Sequence, residues 1–404
     1  VERSGLEGLR VLDFTQVWAG PYCSMLLALN GAEVIKVESE KRPDNSRLFS
    51  VILAARYENK DESPLYHTLN CNKKDITLDL SKPEAADLAR RIALLSDVVV
   101  ENFRPGVMQR LGLDYEALRH VKPDIVYLSS SSRGSTGPEW DYAGYAPIFA
   151  GLGGVSNVTG HAGGSPSPIS GRTDLIVGTS GFFAVLAALL YREKTGKGQY
   201  IDLSSSEAMT VLAGDAFMEY AINRRNPPRK GNRDAAMVPH NCYPCKGEDK
   251  WVSIAVGTDT EWKAFCGAVG RPQWANDERF SDPLSRKANE EELDGLIARW
   301  TKDRAPCEVM RTLQEAGVAA MPSFNAEELC QDPHLRQRGV FTELPHPVRG
   351  RQTVVGRPWI LSGTPARITR HAPLFGEHNE YVFGRLLGLS REKIAQLRED
   401  KVIY

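Results

Sequence analysis

The sequence predicts an α/β protein with a large domain on a parallel sheet and a smaller α+β domain. Three observations carry this. Short apolar runs alternate with helix-patterned segments from Arg10 to Leu203, as in strand–helix–strand units that put helices on both faces of a parallel sheet. The stretch Asn223–Arg233, with Pro227, Pro228 and several arginines, reads as an exposed linker and a domain boundary. Beyond it, one strand is followed by helices and then by short strands again. The expected division is 1–222 for the first part of the large domain, 223–330 for the small domain with its linkers, and 331–404 for a C-terminal segment.

Each element has its own signal. Arg10–Phe14, an apolar run bounded by Gly8 and a polar turn, reads as a buried first strand. Tyr22–Asn30 is a helix opened by Pro21 and closed by Gly31. Ala32–Glu38 is the second strand, Ser39 to about Ser63 a charged loop, and Ile76–Leu78 the third strand. Ser81-Lys82-Pro83-Glu84 has capping-box spacing and starts the next helix. Asp97–Glu101 and Asp124–Ser129 are strands, with a helix at Tyr115–His120 between them. Ser130–Gly171 is rich in Gly, Ser and Pro, a loop long enough to suspect function. The uncharged run Leu175–Tyr191 is slightly short for a membrane span and holds Gly178, Thr179, Ser180 and Gly181, so a buried helix is expected. Lys194–Gly198 turns into the strand Gln199–Leu203, and Ser205 or Ser206 caps a helix towards Ile222. In the smaller domain Trp251–Val256 is a strand, with helices near 260–269, 285–300 and 306–316. Thr353–Val355 and Trp359–Leu361 are short strands, and two amphipathic helices end the chain.

At 404 residues the chain is long enough for two or three domains. Its net charge of -1 argues against nucleic acid or an acidic membrane surface as the main partner. The seven cysteines are scattered and odd in number, and Val1–Ser4 carries no apolar signal core, so no disulfide framework and a cytoplasmic location are expected.

The chemistry centres on Gly171-Arg172-Thr173-Asp174, where a carboxylate opens the long apolar run. Asp174 is either a helix N-cap or a nucleophile whose oxyanion the first backbone N–H groups would steady, and this stretch alone favours the cap. Other classes are disfavoured. The turn Thr15-Gln16-Val17-Trp18-Ala19-Gly20-Pro21 lacks the glycine fingerprint of a dinucleotide enzyme. Lys194–Gly198 lacks phosphate-loop spacing, and no Gly-x-Ser-x-Gly elbow occurs. His240, Cys242 and Cys245 have no second ligand pair, so no metal site is expected. Asn102-Phe103-Arg104-Pro105-Gly106 follows a predicted parallel strand, where open α/β sheets bind ligands. Arg104 and Arg110 suit phosphates and Phe103 a base, against the plainer reading of a solvated loop.

Several stretches resemble one family. Gly8–Glu38, Asn70–Lys74, Glu101–Gly106, Arg192–Leu203 and Pro373–His378 are similar, in order and across nearly the whole chain, to motifs of the class III CoA-transferases. That family includes formyl-CoA transferase, carnitine CoA-transferase and succinyl-CoA:benzylsuccinate CoA-transferase. The resemblance implies that Asp174 is the nucleophile. It implies CoA contacts at Trp18, Ala19, Leu78, Asn102, Phe103, Arg104 and Arg110. It also implies a Rossmann-like large domain completed by the C-terminal segment, a small domain, and two ring-shaped subunits interlocked as a homodimer or as a heteromer with a related subunit. Acyl-CoA and a free carboxylic acid are then the substrates, with no permanently bound cofactor.

The chain departs from the family in places. Many members have Tyr-Asp or His-Asp followed by glutamine where this chain has Tyr145-Ala146-Pro147-Ile148-Phe149, which makes the acyl pocket more apolar. A basic residue used by formyl-CoA transferase falls at Ser39, and that enzyme's glycine-rich flap has no clear counterpart, so formate or oxalate chemistry is not expected. The expected donor is succinyl-CoA and the expected acceptor a substituted succinate such as benzylsuccinate. Gln16, Arg47, Tyr145 and Arg172 are the expected pocket residues, with Arg172 or Arg47 pairing with a second carboxylate and the Gly-rich 151–164 segment as a lid. Two alternatives stand beside this. One is an alpha-methylacyl-CoA racemase-type isomerase, whose catalytic histidine is replaced here by Tyr145, a poor base at neutral pH. The other is a non-catalytic acyl-CoA-binding subunit of a two-subunit transferase.

Overall fold

The structure, a computed structural model, describes residues 4–50, 55–169 and 172–404. Val1–Arg3, Val51–Ala54, Ser170 and Gly171 lie outside the described residues. With them fall the end of the Ser130–Gly171 loop and the residue before the long apolar helix. The chain divides into two compact units, one of 1–156, 168–225 and 334–404, the other of 157–167 and 226–333.

In the first unit six parallel strands form one sheet: β1 (Arg10–Asp13), β2 (Glu33–Glu38), β3 (Lys74–Thr77), β4 (Val98–Glu101), β5 (Val126–Ser131) and β6 (Gln199–Ser204). Their spatial order is β3-β2-β1-β4-β5-β6, that of doubly wound nucleotide-binding folds, with the switch point between β1 and β4. Val11 pairs with Val34 on one side and Val98 on the other. The apolar runs follow from burial on both faces. Val11, Val34, Val98 and Val126 meet Leu27 of helix α1 (Ala19–Leu29) and Val185. Leu12, Ile35, Val99 and Tyr127 meet Leu88 and Ile92 of α2 (Pro83–Leu94) and Phe383 near the C-terminus. The C-terminal segment also closes the β3 edge: His378 N donates to Asp75 O at 2.9 Å, and Thr77 N to Asn379 Oδ1 at 3.0 Å.

The apolar run lies in α3 (Arg172–Thr195), which is buried on one face only. Val177, Gly178, Gly181, Val185 and Ala188, spaced at helical intervals, face inward, while Phe183 is 73% exposed and Leu190 and Tyr191 also face out. By length and composition alone α3 could cross a membrane.

Other expectations shift. Ser81 forms no capping box: Pro83 takes the first helical position behind Lys82, and Ser81 Oγ donates to Asp79 Oδ1 at 2.6 Å. The cap of α4 (Ser205–Leu212) is Ser204, one residue early, and the helix towards Ile222 breaks before α5 (Gly214–Asn223). Helices at Ala146–Leu152 and Val155–Val158 occupy part of the stretch read as loop, so 151–164 is not a continuous lid loop, and a further helix, Pro64–Asn70, lies where the sequence marked no element. Trp359–Leu361 is no strand; Trp359 stacks on Phe182 instead, centroids 6.0 Å apart.

The second unit is an antiparallel sheet of β7 (His240–Pro244), β8 (Trp251–Ala255) and β9 (Ala319–Pro322), in order β9-β8-β7. Its core joins Tyr243, Val252 and Ile254 to Phe265, Leu293 and Leu313 from its helices. The helix expected over 285–300 is two, broken at Asn289.

Candidate active site

The loop Thr15–Trp18 leaves β1 at the switch point and faces the loop after β4. Side chains hold its main chain residue by residue. Thr15 N donates to Asp13 Oδ1 at 2.8 Å, Gln16 N to Asn102 Oδ1 at 2.8 Å and Val17 N to Asp44 Oδ1 at 2.9 Å. Lys36 Nζ donates to Thr15 O at 2.6 Å, and Asn102 Nδ2 to Gln16 O at 2.9 Å. Val17 has φ 72°, a left-handed conformation that is a true outlier for a β-branched residue. Such residues persist where their surroundings over-determine them, and they cluster at functional sites. Dinucleotide folds use the N–H groups of this turn to hold a pyrophosphate. Here those of Thr15, Gln16 and Val17 are already engaged, so the turn is a rigid support.

A sealed set of charges fixes these acceptors. Lys36 Nζ lies 2.9 Å from Asp44 Oδ2, and Lys73 Nζ lies 3.1 Å from Asp13 Oδ2, all four side chains being fully buried. Burial opposes the charge on Lys36, but Asp44, Asp13 and Glu38 outweigh it and hold its pKa above the usual lysine range. Burial likewise opposes ionised Asp13, and Lys73 and Lys36 reverse the balance and lower its pKa. For Lys73 burial wins and the pKa falls to about 8. Sequence reasoning missed the roles of Asp13, Lys36 and Asp44. The available signal was a charge inside an otherwise apolar strand.

Asp174 is the third residue of α3, so it is not the N-cap. It is half-buried, among the described residues it has no hydrogen-bond or ion-pair partner, and burial raises its pKa to about 6. A close helix contact sets its place. A Cβ on Gly178 would lie 2.6 Å from Ala19 O and 3.2 Å from Cys23 N, so α3 rests directly on the first turns of α1. Asp174 stands one turn earlier on that face, towards Trp18. Three residues further along the helix, Val177 joins Ala19, Phe149 and Met209 in one buried apolar cluster.

The other expected residues divide. Trp18, Ala19, Gln16, Asn102, Phe103 and Arg104 come together on the two loops at the switch point, with Arg104 exposed and Phe103 half-buried. Arg110 is exposed on the helix Val107–Leu111 that follows. Leu78 directly follows β3, but its side chain is sealed in the core, so only main chain there can meet a ligand. Arg47 is not a pocket residue. It is fully buried, with Nε 2.8 Å from Glu38, Nη1 2.6 Å from Asp61 and its guanidinium 3.6 Å from the Tyr66 ring centroid. Arg172 is exposed and, two residues from Asp174, projects from a different face of the helix. Tyr145 is 72% exposed, not enclosed in an acyl pocket.

Two hollows were not anticipated. One of about 260 Å³ lies against β4, β5 and β6, lined by Glu101, Arg104, Tyr115, Ser129 and Tyr200. Burial pushes the Glu101 pKa up to about 7. The other, of about 300 Å³, lies on the second unit's sheet beside His240, Cys242 and Ser253. Cys245 belongs to that unit's core, and strand alternation keeps it from joining His240 and Cys242.

Residues 6–379 match the family model described as CoA-transferase family III. The chain is 34% identical over 402 residues to succinyl-CoA–D-citramalate CoA-transferase of Chloroflexus aurantiacus, covering 98% of both chains. It is 32% identical to succinate–glutarate CoA-transferase of Agrobacterium fabrum over 96% of each. A crystal structure of a CAIB/BAIF family protein from Brucella suis matches with TM-score 0.86 and 29% identity, over 95% of this chain and 100% of that one. Motifs, sheet order and full-length matches agree, and the chain belongs to CoA-transferase family III, a transferase acting on CoA thioesters.

Proposed function

We propose that the protein moves CoA from succinyl-CoA to a dicarboxylic acid through a thioester on Asp174. The observation that carries this is a half-buried carboxylate without a partner among the described residues, one helical turn from the α3–α1 contact. Asp174 attacks the thioester carbonyl, giving a mixed anhydride and CoA thiolate. The thiolate attacks the aspartyl carbonyl, giving aspartyl-CoA and free succinate. The acceptor carboxylate attacks in turn, forming a new anhydride and releasing the thiolate, which takes the acceptor acyl group and restores Asp174. The covalent route divides one hard exchange into easier steps and conserves the thioester. Anhydrides hydrolyse, and the apolar wall of Ala19, Phe149 and Val177 helps to exclude water.

Relatives named for citramalate and glutarate support a dicarboxylic acceptor. Phe149 in the apolar wall supports a substituted succinate, with benzylsuccinate as the first to test. CoA would lie across the switch point, over Trp18, Ala19 and Asn102–Arg104. The working protein is an oligomer, a homodimer or a heteromer with a related subunit: α5 has no buried residue and exposes Phe217, Met218 and Ile222, a face that needs a cover. Among the described residues no disulfide joins any of the cysteines, which suits a reducing cytoplasm. The test is a panel of acids incubated with succinyl-CoA, with products read by mass spectrometry. New acyl-CoA from a dicarboxylate is expected. Transfer to none of them would refute the reading.

A further inference from the structure

We propose that Asp44 is a positioning residue of the CoA site: by holding the Val17 N–H it keeps residue 17 left-handed and so fixes the main chain at Trp18 and Ala19. The inference rests on the reading of those two residues as CoA contacts.

Val17 has φ 72° and is β-branched, so it leaves this conformation unless it is held. Glycine would adopt it freely. The side-chain acceptor that reaches its N–H is Asp44 Oδ1, at 2.9 Å. Asp44 comes from a different loop, after β2, and is itself placed firmly. Its N donates to Glu38 Oε2 at 2.9 Å, Oδ2 lies 2.9 Å from Lys36 Nζ, and the side chain is fully buried. Oδ1 also accepts from Ser46 N at 2.9 Å and Ser46 Oγ at 2.8 Å, which locks its direction. Asp13 and Asn102 hold the neighbouring Thr15 and Gln16, whereas Asp44 grips the strained residue directly before Trp18, the residue that precedes α1. If the grip is lost, residue 17 returns to an extended conformation and the start of α1 is re-aimed.

Asp44 also balances the buried charge of Lys36, so the test must separate the two roles. Asp44→Asn keeps an oxygen for Val17 N–H and loses the charge; Asp44→Ala loses both. Each is made alone and with Val17→Gly, and calorimetry gives the Kd for free CoA. The expected result is that Asp44→Ala weakens CoA by about tenfold or more and Asp44→Asn by less than about threefold. Val17→Gly should recover most of the loss in the Asp44→Ala background, because glycine needs no grip. Equal losses for Asn and Ala, or no recovery with glycine, would overturn the proposal and leave Asp44 as the counter-charge of Lys36. If Asp44→Ala does not fold, Lys36→Met/Asp44→Leu, which removes both charges together, replaces it with the same expected recovery. A wild-type protein that fails to bind CoA would sink the reading of the site and this inference with it. Wild-type binding matched by Asp44→Ala would sink this inference alone.

Discussion

Asn102 and Gln16 are joined at two points: Gln16 N donates to Asn102 Oδ1 at 2.8 Å, and Asn102 Nδ2 donates to Gln16 O at 2.9 Å. The carboxamide thus imitates a strand partner just where β1 and β4 have ended, and it ties the two loops of the switch point into one surface. Asn102→Ala frees both main-chain groups. It should cost roughly 1–3 kcal/mol in chemical denaturation and weaken CoA binding. Asn102→Asp keeps one of the two bonds and should fall between Ala and wild type. An alanine variant with unaltered stability would mean that the clamp is not needed.

Gly178 bears on activity through contact alone. A methyl group there meets Ala19 O at 2.6 Å, so Gly178→Ala must push α3 from α1 and carry Asp174 with it. About 1–3 kcal/mol of destabilisation is expected, with kcat falling more than CoA affinity. Thermal melting and steady-state kinetics would check this. Unchanged kcat would separate the helix contact from the chemistry.

The pKa of Asp174 is raised from 3.8 to about 6 by burial. Between those values the folded state binds more protons than the unfolded one. Stability contributed by the protonated form is therefore present at low pH and lost as pH rises through 6. Asp174→Asn should accordingly stabilise the protein at pH 7, by on the order of 1–3 kcal/mol, with no gain at pH values below 3.8. Activity runs the other way: only the ionised carboxylate attacks, so kcat/KM should fall with one-proton dependence below pH about 6. Denaturation curves and a pH–rate profile would measure both.

Arg47 offers a test of structure against substrate binding. It is fully buried and paired with the equally buried Glu38 and the part-exposed Asp61, and Arg47→Met leaves Glu38 buried without this counter-charge. A loss of roughly 3–5 kcal/mol is expected. A variant of normal stability with a raised KM for dicarboxylic acids would return Arg47 to the pocket.

What the sequence revealed follows the range of each signal. Short apolar runs marked the strands around Val11, Val34 and Val98, and Pro21 with Gly31 bracketed α1, because burial and backbone stereochemistry act within a few residues. The cap at Ser81 was misread because Pro83 and Asp79 compete for the same turn. Arg47 was misread because its partners come from sequence positions 38, 61 and 75, and charge pairing at that separation leaves no local pattern. The proposal of Asp174 as nucleophile came from family resemblance rather than spacing. The left-handed Val17 had no signal at all, since nothing in Thr15-Gln16-Val17-Trp18 demands a positive φ.

The most direct measurement is the intact mass, and the peptide mass, of the protein quenched during turnover with succinyl-CoA. A CoA adduct on the peptide holding Asp174, absent from Asp174→Asn, is the expected result. Thioester exchange at the normal rate by Asp174→Asn would contradict it.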